Sequence, residues 1–141
     1  MNEHVAIFSP EAIKQIFKGK KVIDARFSIK RIAPFQLIHA GDIVYMKKSG
    51  GKIVGQFRVS AVISFERLTE ELLQKIQKDY HRELQVNKYF WSDHSEAQYG
   101  TLIFISEVQP VLFPIEIVKR DRRPWMVLDS RSRQTGVDSL R

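Results

Sequence analysis

The stretch Gly19-Lys20-Lys21-Val22-Ile23-Asp24-Ala25-Arg26 decides the fold prediction and carries the candidate chemistry. Lys21, Asp24 and Arg26 bring two cations and one carboxylate into a short segment whose other residues are mostly apolar, which predicts a β-strand. Asp24 and Arg26 are two residues apart and therefore share a face of that strand, with Lys21 at its start. A carboxylate held between two cations stays ionised and orients both of them.

This charge cluster has two interpretations. In the structural one, the ion pairs pin the strand to the end of the preceding helix. In the functional one, the cations bind phosphate, or the lysine polarises a carbonyl group while the carboxylate handles protons. Structural ion-pair networks perturb charged groups as active sites do, so the spacing alone leaves both interpretations open.

Two helices are predicted from their capping residues. Ser9 is a suitable N-cap with Pro10 at the first helical position, and Gly19 ends this helix. Its buried face is expected to contain Ile13, Ile16 and Phe17. Thr69 caps the second helix. Its apolar residues, Leu68, Leu72, Leu73, Ile76 and Tyr80, are expected to line one side of it.

Short strands make up most of the remaining chain. They are predicted at residues 21–26, 43–46, 52–63, 101–108, 115–118 and 125–128. Gly55 marks a bulge or corner in a curved sheet. Pro110 and Pro114 bracket an edge strand or a bend, and residues 81–99 are interpreted as a helix end followed by a long loop. The strands do not alternate regularly with helices, which favours a mainly β, α+β fold: a small, partly closed β-barrel with two or three flanking helices.

The composition limits the classes of function. The chain has 141 residues and a net charge of +7, which favours a polyanionic partner such as nucleic acid. The absence of cysteine excludes disulfides, thiolate metal sites and a cysteine nucleophile. No apolar run approaches the ~18 residues of a membrane helix, and the start of the chain lacks secretory-signal features, so we expect a cytoplasmic protein without membrane contact. We expect one domain over residues 1–128 and a basic, flexible tail over residues 129–141.

The charge cluster matches a known family signature. Gly19, Lys21, Asp24 and Arg26 resemble the Gly-x-Lys-x-x-Glu-x-Arg motif of ASCH domains, with Asp in place of the usual Glu. Three later segments resemble the strands of that family in the same order, at residues 38–44, 52–59 and 99–105. The resemblance implies a PUA-like β-barrel with a cleft beside the motif, and a role in binding RNA or acting on nucleotides.

The resemblance also implies an alternative activity. Some relatives hydrolyse the acyl group of N4-acetylcytidine with the motif lysine, a threonine at the acidic position and a downstream glutamate. Lys21 fits the first role, whereas Asp24 cannot act as a hydroxyl nucleophile, although a carboxylate can activate water. The remote carboxylate has three candidates, Glu70, Glu71 and Glu83.

Two further segments favour nucleic-acid binding. Residues 26–31 combine basic and aromatic side chains directly after the motif, and residues 119–123 form a basic run suited to phosphate contacts. The aromatic cluster of residues 89–91 either fills the core or stacks on exposed bases. His94 has acidic and hydroxyl neighbours, but adjacent loop residues seldom converge as metal ligands, so we expect no metal and no cofactor.

We therefore predict an RNA- or nucleotide-binding protein with a cleft between the motif strand and the second helix. The candidate ligand-binding residues are Gly19, Lys21, Asp24, Arg26, Ser28, Lys30, Arg31, Tyr89 and Trp91. The alternative is an amidohydrolase of N4-acylated cytidine-type nucleosides, in which Lys21 and Asp24 are the reacting pair.

Overall fold

The computed structural model describes residues 1–115 and 123–128. In chain order the elements are β1 (Glu3–Phe8), α1 (Pro10–Phe17), β2 (Ile23–Ser28), β3 (Ile43–Lys48), β4 (Ile53–Glu66), α2 (Glu70–Leu84), α3 (Phe90–Asp93), β5 (Tyr99–Ile115) and β6 (Trp125–Leu128). Predicted features at residues 116–122 and 129–141 lie outside the described residues. These are the end of the strand at 115–118, most of the basic run at 119–123 and the C-terminal tail.

The described strands form one six-stranded sheet in the order β2-β5-β4-β3-β1-β6, which curls into a half-barrel. β1 and β3 pair in parallel, and the other strand pairs are antiparallel. The register of the β4–β5 pair shifts at three places, and such bulges bend and twist a sheet. The predicted class, a mainly β barrel-like fold with flanking helices, is confirmed.

Two of the three apolar clusters among the described residues pack a helix against this curled sheet. One packs α1 against β1, β3 and β4, with Phe57, Met46 and Trp125 at its centre. The other packs α2 against β2 and β5 through residues such as Ile76 and Leu102. The two helices therefore cover different regions of the sheet, and β2 runs between their ends.

Both predicted helix caps are confirmed. The hydroxyl oxygen of Ser9 accepts a hydrogen bond from the Ala12 N–H at 3.1 Å, and that of Thr69 accepts one from the Leu72 N–H at 3.1 Å. The prediction that Phe17 is buried is wrong, because its side chain is 41% exposed. The Phe17 ring instead lies over Gly55, where an added Cβ would come within 2.6 Å of it.

Strand β1 was not predicted from the sequence. Its residues are buried on both sides between β3 and β6, and a strand buried on both faces has no alternating polar pattern. Residues 81–99 contain the end of α2 and the single-turn helix α3 within the predicted loop. Pro110 and Pro114 lie on an edge of the sheet, as predicted. Among the described residues, β2 pairs with residues 99–104 of β5, so that side of β5 has no strand partner from residue 105 onward.

No helix within residues 1–115 and 123–128 combines the length and the apolar character needed to cross a membrane.

Candidate functional site

The motif strand β2 forms one wall of an open cleft with a volume of about 280 Å³. Lys21, Asp24 and Arg26 all line it. The other walls come from the end of β1, the start of α1, and the chain just after α2, and include Phe8, Ser9, Glu11, Gln85, Val86, Asn87 and Phe90. The cleft therefore lies between the predicted motif strand and the C-terminal end of α2, where the C-cap residue Gln85 lines it.

Lys21 is hydrogen-bonded to the C-terminal ends of both α1 and α2. Its backbone N–H donates to the Gln15 carbonyl of α1 at 3.0 Å, and its side-chain Nζ donates to the Leu84 carbonyl of α2 at 2.6 Å. The last carbonyls of a helix have no partner within the helix and carry partial negative charge, so they favour a cation. The side chain is only 4% exposed.

Burial changes the acid–base behaviour of this lysine. The loss of hydration lowers the pKa of Lys21, and the nearby Arg26 charge lowers it further, while the carboxylate of Asp24 opposes both effects. The distance from Lys21 Nζ to Asp24 Oδ1 is 3.8 Å, which is too long for a direct hydrogen bond. A polar atom of a ligand or a water molecule can bridge such a gap.

Asp24 and Arg26 lie side by side on the same face of β2, as their spacing predicted. The Nε–H of Arg26 donates to Asp24 Oδ2 at 2.7 Å, the length of a charge-assisted hydrogen bond. Asp24 is 5% exposed, so this bond is shielded from water. Its other carboxylate oxygen, Oδ1, faces Lys21.

The Arg26 guanidinium also reaches from β2 to the strands at the opposite end of the sheet. Its Nη2 donates to the Ile7 carbonyl of β1 at 3.0 Å. Its carbon Cζ lies 4.8 Å from the centre of the Phe8 ring and 5.0 Å from the centre of the Trp125 ring, distances suited to cation–π contact. Arg26 is therefore fixed by hydrogen bonds and aromatic rings together.

The remaining predicted binding residues do not line this cleft. The Ser28 hydroxyl donates to the Lys30 carbonyl at 2.7 Å, and Lys30 itself is exposed. Arg31 pairs with Glu66 at 3.0 Å, is hydrogen-bonded to Gln36, and lies over the Phe35 ring. Gly19, with a φ of 74°, turns the chain from α1 toward β2.

The aromatic cluster divides between core and surface. Trp91 is partly buried against Phe27 and Phe90, with ring-centre distances of 6.1 and 5.2 Å. Tyr89 is 59% exposed beneath the Lys88 ammonium group. Phe90, which the sequence analysis did not select, is the member of the cluster that lines the cleft.

One carboxylate that lines the cleft, Glu11, was not predicted from the sequence. Glu70, Glu71 and Glu83 do not line the cleft, whereas Glu11, in the first turn of α1, does. The Glu11 side chain accepts a hydrogen bond from Gln15 at 2.7 Å. The available signal was the position of Glu11 in a helix that ends directly before the motif.

A second hollow, of about 400 Å³, is lined by residues 27–29 and 92–97. Its ionisable side chains are Asp93, Glu96 and His94, and Nδ1 of His94 is hydrogen-bonded to the Phe90 carbonyl. None of the described residues that line this hollow is a lysine or an arginine, so the motif cleft is the better candidate for an anionic ligand. Within the described part of the chain, no three His, Asp or Glu residues are grouped as metal ligands.

The fold is similar to solved structures of an ASCH protein from Zymomonas mobilis. The unmodified protein superposes with a TM-score of 0.68 at 18% identity, covering 96% of this chain and 94% of that one. A tyrosine-to-phenylalanine variant of it gives a TM-score of 0.69 at 19% identity and covers 98% of both chains. A serine-to-alanine variant gives a TM-score of 0.69 at 19% identity. No protein-family model and no curated protein sequence matches the chain.

Proposed function

The chain has the fold of the ASCH domain proteins, and from this premise we propose that its motif cleft binds a nucleotide, presented by RNA or free in solution. The observation that carries the proposal is the convergence of Lys21, Asp24 and Arg26 on one open cleft of about 280 Å³. A purely structural ion-pair cluster has no need of an opening beside it.

The cleft offers a mixed set of hydrogen-bonding groups. Lys21 uses one of its three N–H donors on the Leu84 carbonyl, and Arg26 uses its Nε and Nη2 on protein acceptors. Among the described residues, Arg26 Nη1 has no hydrogen-bond partner. Donors beside the Asp24 carboxylate complement a base edge that carries an exocyclic amine next to a ring carbonyl, and the two cations suit a phosphate.

Aromatic and electrostatic features support the same class of ligand. Phe8 and Phe90 line the cleft and provide ring surface for base stacking, the role first assigned to Tyr89 and Trp91. The net charge of +7 attracts polyanions over longer distances. We also propose a cytoplasmic location, where such ligands are abundant.

Binding measurements on point variants test this proposal. We expect Lys21→Ala and Arg26→Ala each to weaken the binding of a single-stranded oligoribonucleotide or of cytidine monophosphate by about tenfold or more, since each removes a charged donor. Lys78→Ala, on the exposed surface of α2, removes the same charge and is the matched control. Circular dichroism checks that every variant is folded.

Two outcomes contradict the proposal. If both folded variants bind like Lys78→Ala, the cleft does not hold the ligand. If both variants unfold, the ion cluster is architectural and the site assignment fails.

A second candidate, an amidohydrolase of N4-acylated cytidines, is favoured by the environment of Lys21. A buried lysine with a lowered pKa, next to a carboxylate across a 3.8 Å gap, is typical of catalytic sites. In this activity Asp24 would remove a proton from water as the water attacks the acyl carbon. The carbon–nitrogen bond then breaks, and the amine of the base leaves with a proton supplied by Lys21.

Incubation with N4-acetylcytidine, followed by chromatography for cytidine and acetate, tests this activity. Turnover by the wild type that is lost in both Asp24→Asn and Lys21→Met supports the enzyme. Salt-sensitive RNA binding without any turnover supports the binding function alone.

A further inference from the structure

His4 lies in a fully buried network behind the cleft. It is 0% exposed, and its Nε2 lies 2.9 Å from Asp42 Oδ2. Its other ring nitrogen, Nδ1, receives a hydrogen bond from the indole Nε1–H of Trp125 at 3.0 Å. Both nitrogens of the imidazole are therefore in use.

The network determines the protonation state of the ring. An indole N–H can only donate, so Nδ1 of His4 must be an acceptor without a proton. The proton of the neutral imidazole is then on Nε2, which donates it to Asp42. Asp42 remains an acceptor because hydrogen bonds from the Asn2 and His39 backbone N–H groups and from His4 lower its pKa, although its burial acts in the opposite direction.

The same network continues to the cleft. The Trp125 ring that donates to His4 also lies under the Arg26 guanidinium, 5.0 Å from Cζ. Trp125 is 2% exposed and begins β6, which pairs with β1 along residues 125–128. Arg26 in turn holds Asp24 through the 2.7 Å hydrogen bond.

We propose that His4 positions Arg26 through Trp125, and that protonation of His4 releases the guanidinium and weakens ligand binding in the cleft. The binding part of this inference rests on the proposed function, whereas the positioning part concerns the network alone. His4 and Trp125 are positioning residues, since neither lines the cleft.

Protonation breaks the network for a simple reason. An imidazolium ion donates from both nitrogens, so its Nδ1–H would face the N–H of Trp125 and their hydrogen bond would be lost. The indole must then turn away, and it takes with it the ring surface beneath Arg26.

The surroundings of His4, and above all its burial, set the pH at which the ring is protonated. Asp42 favours the imidazolium, while His39 disfavours it. Arg26 lies beyond the indole and adds positive charge. Burial is the largest influence, and it lowers the pKa of His4 from the ordinary value of 6.5, so the release occurs in the acid range.

The substitution His4→Gln distinguishes a role of His4 in positioning Arg26 from a role in the stability of the fold. A glutamine amide can donate to Asp42 and accept from Trp125, but it does not titrate. We expect His4→Gln to bind a single-stranded oligoribonucleotide like the wild type at neutral pH. In acid, the wild type should lose about tenfold more affinity than the variant, the effect of one charge-assisted contact. Titration of the RNA is common to both proteins and cancels in this comparison.

Heteronuclear NMR on the full chain gives a readout that needs no ligand. In the wild type, we expect the Trp125 indole and Arg26 Nε–H signals to shift, and the Arg26 signal to lose protection, at the same midpoint as the His4 ring. In His4→Gln these changes should be absent. If the Arg26 signal is unaffected when His4 titrates, or if both proteins lose affinity equally in acid, the inference is overturned.

The two proposals fail in different ways. If the wild type binds no RNA or nucleotide at neutral pH, the proposed function fails, while the NMR titration still decides the positioning role. If His4→Gln does not fold, Trp125→Phe replaces it, because it keeps an aromatic ring under Arg26 and removes the donor. We then expect weaker binding at neutral pH and a flattened response to acid, and wild-type pH dependence would contradict the inference.

Discussion

Replacing Arg26 with lysine keeps the positive charge and removes the planar guanidinium group. The substitution therefore tests whether Arg26 acts through its charge alone or through the hydrogen bonds and ring contacts of that group. Arg26 makes hydrogen bonds of 2.7 Å to Asp24 and 3.0 Å to the Ile7 carbonyl, and its guanidinium carbon lies over the rings of Phe8 and Trp125. A lysine has a single nitrogen and cannot serve Asp24 and Ile7 from opposite edges of a planar group. It keeps the stronger bond to Asp24 and gives up the other contacts.

The expected loss of stability follows from these contacts. A hydrogen bond from a charged donor contributes about 1.5–3 kcal/mol, and a cation–π contact about 0.5–1 kcal/mol when exposed. The Arg26 side chain is 19% exposed, so solvent screening removes only part of these contributions. Because the lysine can relax toward water, we expect a net loss of about 2 kcal/mol, slightly below the low end of the sum for the hydrogen bond to Ile7 and the two ring contacts.

Equilibrium unfolding in urea measures this change. With a slope of about 2 kcal/mol per molar urea, the midpoint should fall by about 1 M while the slope stays constant. Arg82→Lys, on the exposed surface of α2, is the matched control and should leave the midpoint unchanged. A midpoint for Arg26→Lys equal to that of the control would refute the reasoning, since charge alone would then account for the role of Arg26.

Three other expectations follow from the structure. Lys21→Met leaves the Leu84 carbonyl without its donor and Asp24 with one cation fewer, so we expect a folded variant with a lower melting temperature and weaker RNA binding; RNA binding equal to that of the wild type would contradict the site assignment. Gly100→Ala should cost about 1–3 kcal/mol in urea unfolding, because its Cβ would lie 2.5 Å from the Phe27 ring, whereas Gly51→Ala, with its nearest contact at 3.4 Å, should cost less. Burial lowers the pKa of His4, so this residue binds a proton more readily in the unfolded chain. The free energy of unfolding should therefore keep its full His4 contribution above pH 6.5 and decline below it. An equal decline in His4→Gln would assign the loss to other groups.

Short-range signals predicted the parts of the site that lie close together in the chain. The two-residue spacing of Asp24 and Arg26 was enough to place them on one face, because a strand alternates its side chains. The Ser9 and Thr69 caps were predicted for the same reason, since each hydroxyl bonds to a backbone N–H three residues ahead. Such geometry depends on local dihedral angles alone.

Long-range packing decided the remainder of the site. Trp125 reaches Arg26 only because β6 pairs with β1, and no local pattern specifies that pairing. Of the three aromatic residues at 89–91, Phe90 lines the cleft, whereas the selected Tyr89 and Trp91 do not. Successive side chains of a helical turn point in directions about 100° apart, so composition could not tell which one faces the cleft.

The bridge formed by Arg26 links the rigidity of the barrel to the occupancy of its cleft. β2 and β6 are the two end strands of the described sheet. The Arg26 side chain starts on β2 and reaches the Trp125 ring on β6. Fluctuations that part the two ends must break its contacts. A ligand that binds the guanidinium therefore changes how readily the two ends of the sheet separate. By reciprocal coupling, a partner that holds these ends together must change the affinity for that ligand.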